Sequence, residues 1–119
     1  MPPTIVRGDA VDDVTSMVLG LPSEVMPVVV TTWSLAYLSH IRRLEFHEVL
    51  AAASRTRPIA WVSADGAGVV EALGETSPPA DANRTDASLL GLVSFIDGQA
   101  TPELLGFVQP HGAWIDWRA

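Results

Sequence analysis

The chain contains no cysteine and no lysine, and it has no apolar run long enough to cross a bilayer. Without cysteine there is no disulfide framework, no thiol nucleophile and no thiolate metal site. All 7 basic residues are arginines, set against 14 acidic ones, for a formal net charge of −7 with the histidines neutral. Phosphate binding is driven by clustered Lys and Arg, so this balance argues against nucleic acid as a partner. The strongest apolar run, Val25 to Val30, is interrupted by Pro27 and falls far short of the ~20 residues that span a membrane. The N-terminal residues Met1 to Asp9 lack a charged segment followed by an apolar one. A cytoplasmic protein with no membrane partner is therefore expected.

What is present suits one packed domain over residues 1–119. Hydrophobic residues make up 48 % of the chain and charged residues 18 %, the reverse of a disordered composition. A chain of this length buries roughly two-thirds of its unfolded surface.

Thr4 to Val6 is a short β-branched run and predicts a first strand. Asp9, Asp12 and Asp13 then precede Val14, Met17, Val18 and Leu21, a helical stripe with acids at its start and Gly20 and Pro22 at its stop. Val28 to Thr32 is uninterrupted and β-branched, as in strands buried on both faces of a parallel sheet. Ser39 is placed to cap a second helix whose apolar stripe is Phe46, Val49, Leu50 and Ala53, with Arg42, Arg43, Glu45 and Glu48 forming a solvated face. Ile59 to Ser63 reads as the next buried strand. This β-α-β-α-β start predicts an α/β fold with parallel strands, in two or three layers. Glu75 to Ser88 is polar and predicts a loop. Leu89 to Ile96, Leu104 to Val108 and Ala113 to Trp117, separated by Asp97-Gly98 and Pro110-His111-Gly112, predict closing antiparallel strands. The last of them has one polar face and is expected half exposed or at an edge.

Familiar motifs fail one by one. Gly66-Ala67-Gly68 opens like a dinucleotide fingerprint, but Glu71 stands where the third glycine belongs, leaving a plain turn. His47-Glu48 begins like a zinc-protease motif, but Ala51 replaces the second histidine. His40 and His47 lie ~10 Å apart along a helix. They read as surface histidines, and no metal site is expected. No serine lies in a nucleophile elbow, and no nucleophile is placed beside His111 and Asp116. The acids at Asp9, Asp12 and Asp13 suit helix capping. Ligands in open α/β sheets gather at the carboxyl ends of strands, which singles out Thr31, Thr32 and Trp33, with Tyr37 nearby. His111 could present its imidazole from a turn.

Four stretches carry a resemblance: Val6 to Ala10, Val28 to Leu38, Arg57 to Ser63, and the closing Pro110-His111-Gly112-Ala113-Trp114-Ile115-Asp116-Trp117. Together they resemble the C-terminal part of a bacterial family known as domain of unknown function 2332, whose members are usually longer. The order of elements is also similar to the second half of a class I S-adenosylmethionine methyltransferase. That similarity implies a methyltransferase-like half-fold, Asp9 near an adenine, and Thr31 and Thr32 at the end of the fourth strand. It implies S-adenosylmethionine as a ligand rather than a cofactor held by this chain alone. The glycine-rich first loop and the ribose-binding acid of such enzymes have no counterpart here, and Thr31-Thr32-Trp33-Ser34 replaces their Asn/Asp-Pro-Pro-Tyr motif.

Two functions remain open. One is a methyltransferase-like partial domain that contributes to an S-adenosylmethionine-type site, with Asp9, Thr31, Thr32, Trp33, Tyr37 and His111 as ligand-binding residues. The other is a non-catalytic association module, a homodimer or a partner-bound chain, joined through an open sheet edge at Val28 to Thr32.

Overall fold

Each helix begins where a side chain can satisfy its first free amides. The computed structural model describes residues 2–74 and 87–119. Helix α1 spans Ala10–Leu19, and the Asp9 carboxylate accepts from the amides of Val11 and Asp12 at 2.9 and 3.0 Å. Helix α2 spans His40–Ala53, and Ser39 Oγ accepts from the Arg42 amide at 3.3 Å. These are the bonds that Asp and Ser make as N-caps. The strands are β1 Val28–Thr32, β2 Ile59–Asp65, β3 Ser88–Ile96, β4 Gln99–Val108 and β5 Ile115–Trp117. Single 3-10 turns lie at Leu35–Tyr37 and Glu71–Leu73.

The strands form one sheet in the order β1-β2-β3-β4-β5. Only β1 and β2 are parallel; the other three pairings are antiparallel. Alternation along β2 turns Ile59, Trp61, Ser63 and Asp65 toward the helices. The cross-strand partners of Ile59 and Trp61 on β3 are Phe95 and Val93. These four apolar residues form one core with Val11, Val14 and Val18 of α1 and Phe46, Leu50 and Ala53 of α2. Phe46 meets Trp61 edge to face, with ring centroids 5.2 Å apart, a geometry aromatic pairs favour. The fold is therefore two-layered: both helices cover the same side of a mixed sheet.

That layering corrects several expectations. Thr4 to Val6 forms no strand; Ile5 is 90 % exposed, because the outer edge of β1 takes up no partner among the described residues. A three-residue β-branched run has no ladder of its own to hold it. Among the described residues there is thus one parallel pair rather than three successive parallel strands. β1 is not buried on both faces: it is an edge strand, and Val28 and Val30 are 56 % and 62 % exposed. Met17 and Leu21 are likewise exposed, and the buried stripe of α1 runs through Val11, Val14 and Val18 instead. Ser88, expected in a loop, opens β3, while residues 75–86 of that loop lie outside the described residues.

The antiparallel half follows its turn chemistry closely. Asp97 and Gly98 take φ values of 50° and 82°, the left-handed pair that a tight hairpin requires. The Gly98 amide donates to Ser54 Oγ at 2.9 Å, tying the hairpin to the end of α2. Between Leu104 and Gly106 the register of β3 and β4 slips by one residue, skipping Leu105. A Cβ on Gly106 would sit 2.1 Å from the Asp116 carbonyl oxygen, so glycine lets β5 approach. β5 does lie at a sheet edge, as expected.

Candidate functional site

The carboxyl ends of the parallel pair hold three buried polar residues, Thr31, Ser63 and Asp65. Trp61 Nε1 donates to Thr31 Oγ1 at 2.9 Å, inside the core. Trp33 turns the chain out of β1 with φ of 51°, an uncommon conformation for a bulky residue. Two bonds hold it there: its amide donates to the Ala64 carbonyl at 2.8 Å, and its indole donates to Ser88 Oγ at 2.7 Å. Trp33 thus clamps the ends of β1, β2 and β3 together.

Beyond Trp61 on the helix-facing side of β2 come Ser63 and Asp65, 1 % and 2 % exposed. Ser63 Oγ and Asp65 Oδ2 have no hydrogen-bond partner among the described residues. Burial pushes the Asp65 carboxyl above its ordinary pKa, against the amides of Gly66 and Leu35 and the charge of Arg43, which pull it down. Buried polar atoms without partners are rare and call for an explanation.

Two cavities flank α2. One, of about 260 Å³, is walled by Leu35 and Trp61, by His40, Arg43 and His47 of α2, and by the segment from Val69 to Ala72. The other, of about 310 Å³, lies between α1 and β1 and includes Asp9, Met17, Val30, Thr31 and Phe46 in its lining.

The predicted ligand residues separate into groups. Asp9 and Thr31 line the same cavity between α1 and β1. Asp9 is also engaged as the cap of α1 and in an ion pair of 2.9 Å with Arg42. Its carboxyl sits below its ordinary pKa, chiefly through the Asp12 amide, with the Val11 amide and Arg42 adding to the effect against desolvation. Thr32 points to the opposite side of the sheet from Thr31 and is exposed. Tyr37 is 90 % exposed on its 3-10 turn. His111 is exposed in the β4–β5 turn, where Gln109 Oε1 accepts from its amide at 2.7 Å. That turn is at the same end of the sheet as Thr31, but three to four strand positions away, roughly 14–19 Å at ordinary strand spacing.

Sequence reasoning passed over Asp65, Ser63 and the basic row on α2. Asp65 lies just past Ile59 to Ser63, the stretch expected as a strand, whereas β2 runs on to Asp65; the usable signal was the two-residue alternation Trp61, Ser63, Asp65 on a buried strand face. The charges of α2 are not a plain solvated face either. Arg42 joins Asp9, Asp12 and Glu45, and Arg43 lines a cavity. His47 is half-buried, edge to face with Phe95 at 5.2 Å, rather than a free surface histidine. Among the described residues no cluster of three or more His, Asp or Glu could hold a metal ion, and no helix is long and apolar enough to cross a membrane.

A family model described as "Uncharacterized protein conserved in bacteria (DUF2332)" matches residues 1–117. No curated protein and no solved structure matches the chain.

Proposed function

The chain belongs to this uncharacterised bacterial family, and from that premise we propose that it is an association module, whose β1 pairs with β1 of a second copy. The observation that carries this reading is the outer edge of the sheet. β1 is a terminal strand with no charged residue, and Val28 and Val30 are more than half exposed. Edge strands are normally blunted by charge, proline or a bulge, and β1 has none of these within it. Antiparallel self-pairing centred on Val30 sets Val30 against its copy and Val28 against Thr32. No like charges meet there, although the whole chain carries −7. Ile96, Ile115 and Trp117 are also each 60 % exposed or more.

Sedimentation velocity tests the reading. A dimer is expected, and Val30→Lys, at an exposed site, should convert it to monomer without changing the far-UV spectrum. A monomer at every concentration, or a dimer indifferent to Val30→Lys, overturns the proposal.

A second reading, contribution to an S-adenosylmethionine-type site, is favoured by one observation: Asp9 and Thr31 line one cavity. Catalysis in such a site would consist mainly of positioning methyl donor and acceptor. Calorimetric titration with S-adenosylhomocysteine should then give saturable heat that Asp9→Ala diminishes. Absence of heat removes this reading.

A further inference from the structure

The cavity of about 260 Å³ is apolar over most of its wall and basic along one row. Trp61, Leu35 and Val70 supply apolar surface. His40, Arg43 and His47 recur at i, i+3 and i+7 of α2, a spacing that sets them on one side of the helix. Among the described residues, Glu71 of the second 3-10 turn is the one acid in the lining.

This basic row has donors to spare. Arg43 is half-buried and uses Nε to donate to the Leu38 carbonyl at 3.1 Å. Its two Nη groups have no hydrogen-bond partner among the described residues. The contrast with the next residue is sharp: Arg42 pairs with Asp9, Asp12 and Glu45, and none of these acids pairs with Arg43. The imidazoles of His40 and His47 likewise have no hydrogen-bond partner among the described residues. His47 is held instead by its ring contact with Phe95. A planar guanidinium with both Nη groups open matches the two oxygens of a carboxylate.

We infer that this cavity binds a small organic monocarboxylate with an apolar body, aromatic or branched. Its carboxylate takes the Nη groups of Arg43, the His47 imidazole adds a further donor, and its body rests on Trp61, Leu35 and Val70. Size favours this class. Pockets for drug-sized ligands run from about 300 Å³ upward, so this one takes a smaller molecule. Charge favours a single anionic group, since a phosphate or a dicarboxylate brings a second negative charge to a lining that already contains Glu71. The apolar wall favours an organic body, because acetate or inorganic phosphate leaves Trp61, Leu35 and Val70 uncovered.

Calorimetry on the full chain, with intrinsic tryptophan fluorescence in parallel, tests the inference using benzoate, phenylacetate and 4-methylpentanoate. At least one should bind saturably. Its neutral amide (phenylacetamide for phenylacetate) should bind at least roughly tenfold more weakly, as loss of a charge-assisted bond implies. Acetate and inorganic phosphate, which carry charge without the body, should be weaker by a similar factor. Arg43→Gln should also weaken binding at least roughly tenfold, and Arg43→Lys should restore part of it. No saturation by any of the three acids overturns the inference, as does an unchanged affinity in folded Arg43→Gln. Equal binding of the amide or of phosphate overturns it too, a comparison made on the unaltered chain and independent of how Arg43→Gln folds.

Discussion

The bond between Trp61 and Thr31 should be worth more than its place at the sheet margin suggests. Trp61 Nε1 donates to Thr31 Oγ1 at 2.9 Å, with Trp61 2 % and Thr31 9 % exposed. Thr31→Val preserves shape but strands the indole N–H in the core, and an unsatisfied buried donor costs about 1–3 kcal/mol. Unfolding entropy scales with length, so for 119 residues it comes to about 0.25 kcal/mol/K near the midpoint. The expected drop in Tm is therefore roughly 4–12 °C. Trp61→Phe removes the donor instead and adds a packing loss. The double variant strands neither group, so the two changes should fall short of additive by about 0.5–1.5 kcal/mol. Urea unfolding followed by far-UV circular dichroism measures all four corners of the cycle. Amides of β1 should also exchange hydrogen faster in Thr31→Val, because the bond joins the edge strand to the core. A loss below about 0.3 kcal/mol for Thr31→Val, or full additivity, would refute the argument.

Gly106→Ala should destabilise by about 1–3 kcal/mol, because the new Cβ falls 2.1 Å from the Asp116 carbonyl oxygen; a midpoint unchanged in thermal melts contradicts this account of β5. Asp65→Asn should stabilise the chain at neutral pH. Burial raises the folded-state pKa of Asp65 above its unfolded value, so its ionisation opposes folding increasingly as pH climbs from the unfolded pKa through the folded one. Stability measured across that window should decline less in Asp65→Asn than in the parent, and identical profiles count against the burial argument. Asp9 acts in the opposite sense. Its pKa is lowered in the fold, so its contribution is present above the unfolded pKa and fades as pH falls through the folded one. Asp9→Ala should therefore flatten the acid limb of the stability curve.

Local chemistry was legible where a feature depends on near neighbours. Asp9 and Ser39 cap their helices as their positions suggest, and the stripe Phe46, Leu50 and Ala53 is buried. Asp97-Gly98 forms the tight turn, and the three closing strands are antiparallel. The candidate site was legible only in part. Thr31 was singled out for its place at a strand end, and it does meet Asp9 at one cavity. Thr32, Tyr37 and His111 do not converge there, because alternation, exposure and strand order separate them.

By itself, then, the sequence determined the helix starts and the tight turn: capping and turn conformation are settled within a few residues by backbone sterics and hydrogen bonding. Tertiary structure alone decided which surfaces meet. A β-branched run such as Val28 to Thr32 reads the same whether covered on both sides or open at an edge, since burial depends on whether another layer arrives. Here both helices settle on one side of the sheet, which exposes Val28 and Val30 and buries Trp61 against Phe46. That contact joins residues 15 positions apart in the chain, and no local pattern encodes it.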